Sequence, residues 1–383
     1  MFEFEDERST RRGFLGAGAG AIALALPVIR GGVGFAADGD TRQVADGLVR
    51  KAVAFLPSLQ EPNGGFSTKS GPGITGIVVT ALLRTKKLTP AEPVVAKALA
   101  YLEGEVAPKG TLEAEGPQSN YVTAVAMMAF QEANVRGRYD ALVKSGQTNL
   151  KRLQWDEGEK KGRDDAYYGG AGYGGKSRPD LSNTAFFVEA LRDSGVPADD
   201  PNLQKAIVFI SRCQNMKSEF NDQPWADKVN DGGFIYSAAD GGISMAGGAE
   251  PSGALRSYAS MTYAGLKSMV HAGLTAADPR VKAAYDYIKK NYSVDENPGL
   301  GKSGLYYYYQ TMARALSLLG KPTLVDSAGV EHDWRGDITA ALAKRQGSKG
   351  EWVNTDARFM EGNPALATSF ALLALSYAHA AKN

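Results

Sequence analysis

A short stamp recurs six times along this chain and limits the fold more than any other feature. Thr75, Thr123, Thr184, Thr262, Thr311 and Thr368 each open a stretch that is small and apolar nearly all round. Six residues after each threonine stands a small residue: Ala81, Ala129, Ala190, Ser268, Ser317 or Ala374. The next position carries a large apolar one: Leu82, Phe130, Leu191, Met269, Leu318 or Leu375. Seven residues make nearly two helical turns, so the threonine and the large residue share a stripe. The small residue beside it lets a neighbouring helix come close. A helix that is apolar on every side is buried on every side, so these six stretches read as inner helices.

Between them lie stretches with charges along one face: Arg42–Leu56, Pro90–Glu105, Tyr139–Gln154, Pro201–Gln214, Arg280–Tyr292 and Trp334–Arg345. Amphipathic helices of this kind cover a core on one side and meet water on the other. The pattern predicts six outer/inner helix pairs, an array signalled by repeats of this length. An open solenoid is one arrangement of such pairs. A closed all-α (α/α)6 toroid is the expected one, because inner helices without a polar face have no use for solvent. The connections from outer to inner helix are long, Gly-rich and aromatic, as in 61–73, 156–179 and 215–251, whereas most return connections are short. All long loops should therefore gather at one end, with the inner-helix N-termini, and long ordered loops are usually functional.

Residues 1–37 are set apart. Ser9-Thr10-Arg11-Arg12-Gly13-Phe14-Leu15 has the pattern of a twin-arginine export signal, followed by a Gly/Ala-rich apolar stretch and by Gly34-Phe35-Ala36-Ala37 as a cleavage region. The apolar stretch is too short and glycine-rich to span a bilayer well. The expectation is a periplasmic or extracellular protein whose mature part, 38–383, is one domain without a transmembrane span. The formal charge of +1 gives no sign of a nucleic-acid partner. One cysteine, Cys213, excludes an internal disulfide and a multi-cysteine zinc site. With three histidines in the chain, no metal and no cofactor is expected.

Two loops carry a further motif, Q-x-x-x-G-x-aromatic, at Gln60–Phe66 and Gln346–Trp352. With the six helix pairs, this resembles the repeat of squalene and hopene cyclases and of protein prenyltransferase beta subunits. The resemblance covers nearly the whole mature chain and implies the toroid. It also implies where chemistry would sit. The cyclase motif D-x-D-D-T-A corresponds to Asp180-Leu181-Ser182-Asn183-Thr184-Ala185, in which Ser182 replaces the aspartate that protonates the alkene. The prenyltransferase zinc motifs correspond to Asp231-Gly232-Gly233 and Tyr309-Gln310-Thr311, with Gly233 in place of cysteine and Gln310 in place of histidine. One ligand of three does not hold a catalytic zinc. The resemblance thus implies an exported relative that lacks both activities and binds an apolar, isoprenoid or mixed ligand in a central cavity.

The residues expected to hold it are Lys228, Arg256, Tyr258, Tyr263, Tyr308 and Gln310, with Asp180 and Asp231 as weaker catalytic candidates. Lys228 matches a diphosphate-binding lysine of the family. Arg256 and Lys302 precede inner helices, whose N-termini favour anions. Tyr167, Tyr168, Tyr173 and the run Tyr306–Tyr309 add aromatic walls suited to isoprenoids or to stacked sugars. Two other expectations stand beside this one. The chain could be a carbohydrate-active lyase or hydrolase using a pair from Asp164, Asp165, Asp180, Asp231 and Asp240. It could also be a true terpenoid cyclase with an unmatched acid.

Overall fold

The computed structural model describes residues 38–380 apart from 248–249. The export-signal expectation falls on 1–37 and lies outside the described residues. Twelve α-helices are present among the described residues. The outer ones are α1 (Asp38–Phe55), α3 (Pro93–Val106), α5 (Asp140–Arg152), α7 (Pro201–Arg212), α9 (Pro279–Lys290) and α11 (Trp334–Arg345). The inner ones are α2 (Gly73–Arg84), α4 (Ser119–Glu132), α6 (Leu181–Asp193), α8 (Ala259–His271), α10 (Leu305–Leu319) and α12 (Pro364–Ala378). A two-stranded antiparallel hairpin, β1 (Leu324–Val325) with β2 (Glu331–His332), joins α10 to α11.

Local chemistry sets the helix starts. Proline occupies the first turn of α3, α7, α9 and α12, where its missing N–H is no loss. The carboxylates of Asp180, Asp200 and Asp278 and the amide of Asn363 accept hydrogen bonds from the first-turn amides of α6, α7, α9 and α12. The outer helices bury one stripe. On α7 it runs through Leu203, Ala206, Ile207 and Ile210, the spacing of a single helical face, and widens to the whole circumference in the last turn, 208–212. The inner helices are buried nearly all round, as the composition predicts.

The inner helices pack in chain order, α2 on α4, α4 on α6, α6 on α8, α8 on α10 and α10 on α12, and α12 lies against α2. The glutamine motif stitches neighbouring pairs. The Gln60 amide donates to Gly64 O at 2.9 Å in its own loop and to Val94 O at 2.8 Å on α3. Gln346 repeats the arrangement, reaching Gly350 O and, 298 residues back in the chain, Leu48 O at 3.0 Å on α1. Two more glutamines do the same at longer loop spacing: Gln154 to Gly169 O and Asn202 O, and Gln214 to Gly232 O and Arg280 O. The loop glycine is needed because the backbone there is left-handed and runs against an outer helix. A Cβ on Gly169 would lie 1.8 Å from Lys205 O.

The threonine stamp has a physical basis in five helices. Each hydroxyl accepts an N–H from the preceding long loop: Phe66 to Thr75 (2.9 Å), Ala114 to Thr123 (3.3 Å), Ala171 to Thr184 (3.0 Å), Phe234 to Thr262 (3.1 Å) and Trp352 to Thr368 (3.0 Å). On α10 the register differs. Thr311 bonds only to Tyr307 O and Tyr308 O of its own helix. The equivalent position is Tyr309, whose phenol reaches Val294 O of the preceding loop at 2.6 Å. Ala315 and Leu316, six and seven residues on, are each 1% exposed, whereas Ser317 and Leu318 are only half-buried.

Candidate functional site

With α10 counted from Tyr309, one repeat position explains the shape of a chamber at the loop-rich end. The residues two before the reference position are Gly73, Tyr121, Ser182, Ser260, Tyr307 and Leu366, one from each inner helix, and all six line it. Its volume is about 270 Å3. Phe186 and Phe370, one turn deeper on α6 and α12, also line it, with Met261 and Ile74. Tyr173, Tyr236, Tyr258, Asn297 and Leu300 come from the long loops. The rings meet edge to face. Tyr121 lies 5.6 Å from Phe186, and Tyr307 lies 5.8 Å from Phe370.

The loop after α11 overhangs the chamber. Its tip residues Phe359 and Met360 both have left-handed backbone, with φ of 59° and 64°, and remain 43% and 49% exposed. Non-glycine residues adopt this conformation at some cost when surrounding contacts impose it. Here the buried Glu361 carboxylate accepts the Tyr307 N–H at 2.7 Å, at the start of α10, and the Asn354 side-chain amide at 2.8 Å. The Ser303 hydroxyl donates to Asp356. The loop is thus pinned on both sides of its tip.

Asp180 is 2% exposed and caps α6. Its carboxylate accepts the Asn183 backbone N–H at 2.9 Å and its side-chain amide at 2.8 Å. Burial outweighs these bonds and the nearby Tyr236 and Arg178, and pushes its pKa up to about 6. Asp180 does not line the chamber, but it is hydrogen-bonded to Tyr236, which does. Ser182 does, and its hydroxyl is 3.0 Å from that of Tyr307. Burial holds the phenols of Tyr121, Tyr258 and Tyr307 well above their ordinary pKa, so all three stay neutral.

Of the residues expected to hold a ligand, Tyr258 lines the chamber. Tyr263 and Tyr308 pack against each other between α8 and α10, with rings 5.7 Å apart, and the Tyr308 phenol bonds to Ser293 O. Gln310 is buried on α10 and is not part of the lining. Lys228 donates to Ser252 O, and Arg256 pairs with Glu250 at 2.7 Å. Asp231 accepts from the Ser257 hydroxyl at 2.7 Å and from the Gly233 N–H at 3.0 Å. A Cβ on Gly233 would lie 2.5 Å from Ser257 Cβ and 2.7 Å from the Tyr287 ring, so a cysteine does not fit there. Among the described residues no group of three metal-ligating side chains gathers. Cys213 is fully buried at the end of α7, and burial pushes its thiol up.

Two other acids meet at Tyr167, outside the lining: Asp165 accepts its backbone N–H at 2.9 Å, and Asp240 its phenol at 2.6 Å. Asp165 also pairs with Lys161 at 2.9 Å. No carboxylate lines the chamber among the described residues.

Sequence reasoning missed a second feature, at the far end of the inner helices. Nine residues after the reference position stand Arg84, Glu132, Asp193, His271 and Tyr377, and five after it stand Glu189, Lys267 and Arg314. Lys267 and Glu189, each 1% exposed, form an ion pair. Arg84 binds Glu132 at 2.7 Å and Asp193 at 2.5 Å, Arg314 binds Asp193 at 2.7 Å, and the Tyr377 phenol donates to Glu189 at 3.0 Å. Three cations face three anions. Burial pushes His271 down to about 4, so it is neutral. The signal was present in the sequence as polar residues at fixed repeat offsets on helices otherwise apolar all round.

No family model matches this chain, and no curated protein sequence matches it. Its fold is that of α/α toroid proteins. A variant of the type II terpene cyclase MstE from Scytonema, in its apo form, aligns over 89% of this chain and 99% of that one, with a TM-score of 0.53 and 14% identity. A second variant of it, in complex with the product merosterolic acid A, aligns over the same shares with a TM-score of 0.52 and 13% identity. A possible member of the GH105 family from Salmonella enterica aligns over 92% of this chain and 97% of that one, with a TM-score of 0.52 and 12% identity. At such identities the likeness concerns the fold alone.

Proposed function

We propose that this chain is a closed six-pair α/α toroid that binds an apolar molecule, isoprenoid or otherwise extended, in its loop-end chamber. It carries out neither protonation-initiated cyclisation nor zinc-dependent prenyl transfer. Closure is supported by the packing of α12 on α2 and by the bond from Gln346 to Leu48. The observation that carries the functional reading is the chamber lining. Eight aromatic and five aliphatic side chains surround it with no carboxylate among them. A glycosidase would need two acids facing the substrate, and a cyclase would need one strong acid in the chamber wall. Ser182 stands at the position the resemblance gives to that acid, and a serine hydroxyl cannot protonate an alkene. The twin-arginine pattern at 9–15 supports export, to the periplasm or outside the cell.

Native mass spectrometry of protein purified from its own host tests this reading. The expected result is a co-purifying apolar molecule that is lost when Phe186 is replaced by Trp to fill the chamber. A co-purifying glycan would overturn it, as would turnover of an unsaturated or neutral oligosaccharide.

A further inference from the structure

The charge distribution around the chamber narrows what it can hold. None of its lining side chains is ionised: the polar ones are Ser70, Gln118, Ser182, Ser260, Asn297 and the tyrosines. Several charged groups lie outside the lining, each with a contact of its own. Lys267 lies 5.8 Å from the Phe186 ring, beneath the chamber, and is held by Glu189. Glu361 caps the first amides of α10. Arg358 lies over the Phe359 ring at 4.7 Å and reaches Met245 O. Asp180 lies outside the lining, hydrogen-bonded to Asn183 and to Tyr236. The basic residues that a diphosphate would enlist, Lys228 and Arg256, are taken by Ser252 O and Glu250. An ionic group entering this space would lose its water and meet no charged side chain in the lining, which is strongly unfavourable.

Among these neutral groups, one hydrogen-bonded pair joins two inner helices. The Ser182 hydroxyl, from α6, and the Tyr307 hydroxyl, from α10, are 3.0 Å apart and face the chamber together. A hydroxyl has one donor and two acceptor positions. Their mutual bond uses one donor and one acceptor, so the pair retains a donor and further acceptors. Around it lie the rings of Phe186 and Phe370. An apolar body therefore meets rings, and a single polar group meets the pair.

We infer that the chamber takes an uncharged, mainly apolar molecule with one neutral hydrogen-bonding group, a hydroxyl or a carbonyl, seated on Ser182 and Tyr307. It excludes phosphorylated, carboxylated and cationic derivatives of the same skeleton. This rests on the binding reading above and specifies the ligand for that site.

A chain-matched C15 series tests it by equilibrium dialysis against the full mature chain: farnesol, farnesene, farnesoic acid, farnesyl diphosphate and farnesylamine. Farnesol should bind best. The three charged members should bind at least ~10-fold more weakly, from the desolvation of an unpaired ion. Tyr307→Phe should weaken farnesol by roughly 5- to 10-fold and leave farnesene unchanged, a split that general disruption of the fold does not produce. Ser182→Ala should give the same split if the tyrosine variant folds poorly. A charged member that binds as tightly as farnesol overturns this inference and leaves the apolar-binding reading standing. Failure of every member to bind overturns both. Equal losses for alcohol and hydrocarbon in the two variants overturn the assignment of the anchor.

Discussion

Asp180→Asn should remove a pH dependence that one buried carboxylate imposes on the whole fold. In the folded chain its pKa is about 6, against an ordinary value of 3.8. The folded state therefore holds this proton more tightly than the unfolded state does. Below about pH 4 both states are protonated and the group has no effect. Between pH 4 and pH 6 the unfolded state ionises first, and stability falls. Above pH 6 the full difference is in place, about 3 kcal/mol for a gap of roughly two units. Asparagine keeps the cap, since its side-chain oxygen still accepts the Asn183 N–H. Its amide can donate to the Asn183 side-chain oxygen, which is buried and has no partner now. Urea unfolding at half-unit steps from pH 4 to pH 7.5 measures the effect as the difference between wild type and variant. The variant should gain on the wild type by about 2–3 kcal/mol across that window. Parallel curves would refute the argument, because they would mean that burial does not penalise this carboxylate.

Four further outcomes follow from the same geometry. Thr184→Val strands the buried Ala171 N–H and should cost about 1–3 kcal/mol by urea unfolding, whereas Thr311→Val, which loses only bonds within its own helix, should cost less than about 1. Lys267→Met leaves Glu189 buried without its closest cation and should cost about 3–5 kcal/mol, and adding Glu189→Met should recover most of that; an unrecovered double variant would mean that packing, not charge, sets the loss. Gly169→Ala forces its loop away from α7 and should lower stability by more than about 2 kcal/mol in thermal melts. Elemental analysis should find well under one zinc per chain, and stoichiometric zinc would overturn the reading of Gly233 and Gln310.

The helix pairs were legible in the sequence because burial all round and burial on one side leave different residue patterns. Helix ends moved by a few residues: the α3 segment starts at Pro93, not Pro90, because Pro93 supplies the first-turn proline. The stamp was legible for five helices. On α10 the threonine pattern Thr311-Ser317-Leu318 competes with Tyr309-Ala315-Leu316, which keeps the small and large positions without the threonine, and only the contact of Tyr309 with its loop and the burial of Ala315 and Leu316 separate them. The chamber was harder to see. Its wall comes from one position per helix, two before the reference, and the side chains there range from Gly73 to Tyr121, so no shared chemistry marks it. The tyrosines chosen on α8 and α10 are real aromatic clusters, but helix rotation turns Tyr263 and Tyr308 into the packing between helices. The ionic layer at the far end escaped because each member, taken alone, looks like an ordinary charge near a helix C-terminus.

The bond from Gln346 back to Leu48 bears on how the chain can come apart. A linear repeat array loosens from its ends, where the last repeat has one neighbour, and such arrays need special capping repeats to stay soluble. Here α12 packs on α2 and Gln346 bonds back to Leu48, so in the closed ring proposed above neither of these pairs has an open flank from which to fray. The same tie delays completion. During synthesis α2 waits, with one apolar flank uncovered, until α12 has left the ribosome nearly three hundred residues later. Losing α12 would bare two inner helices, α2 and α10, at once.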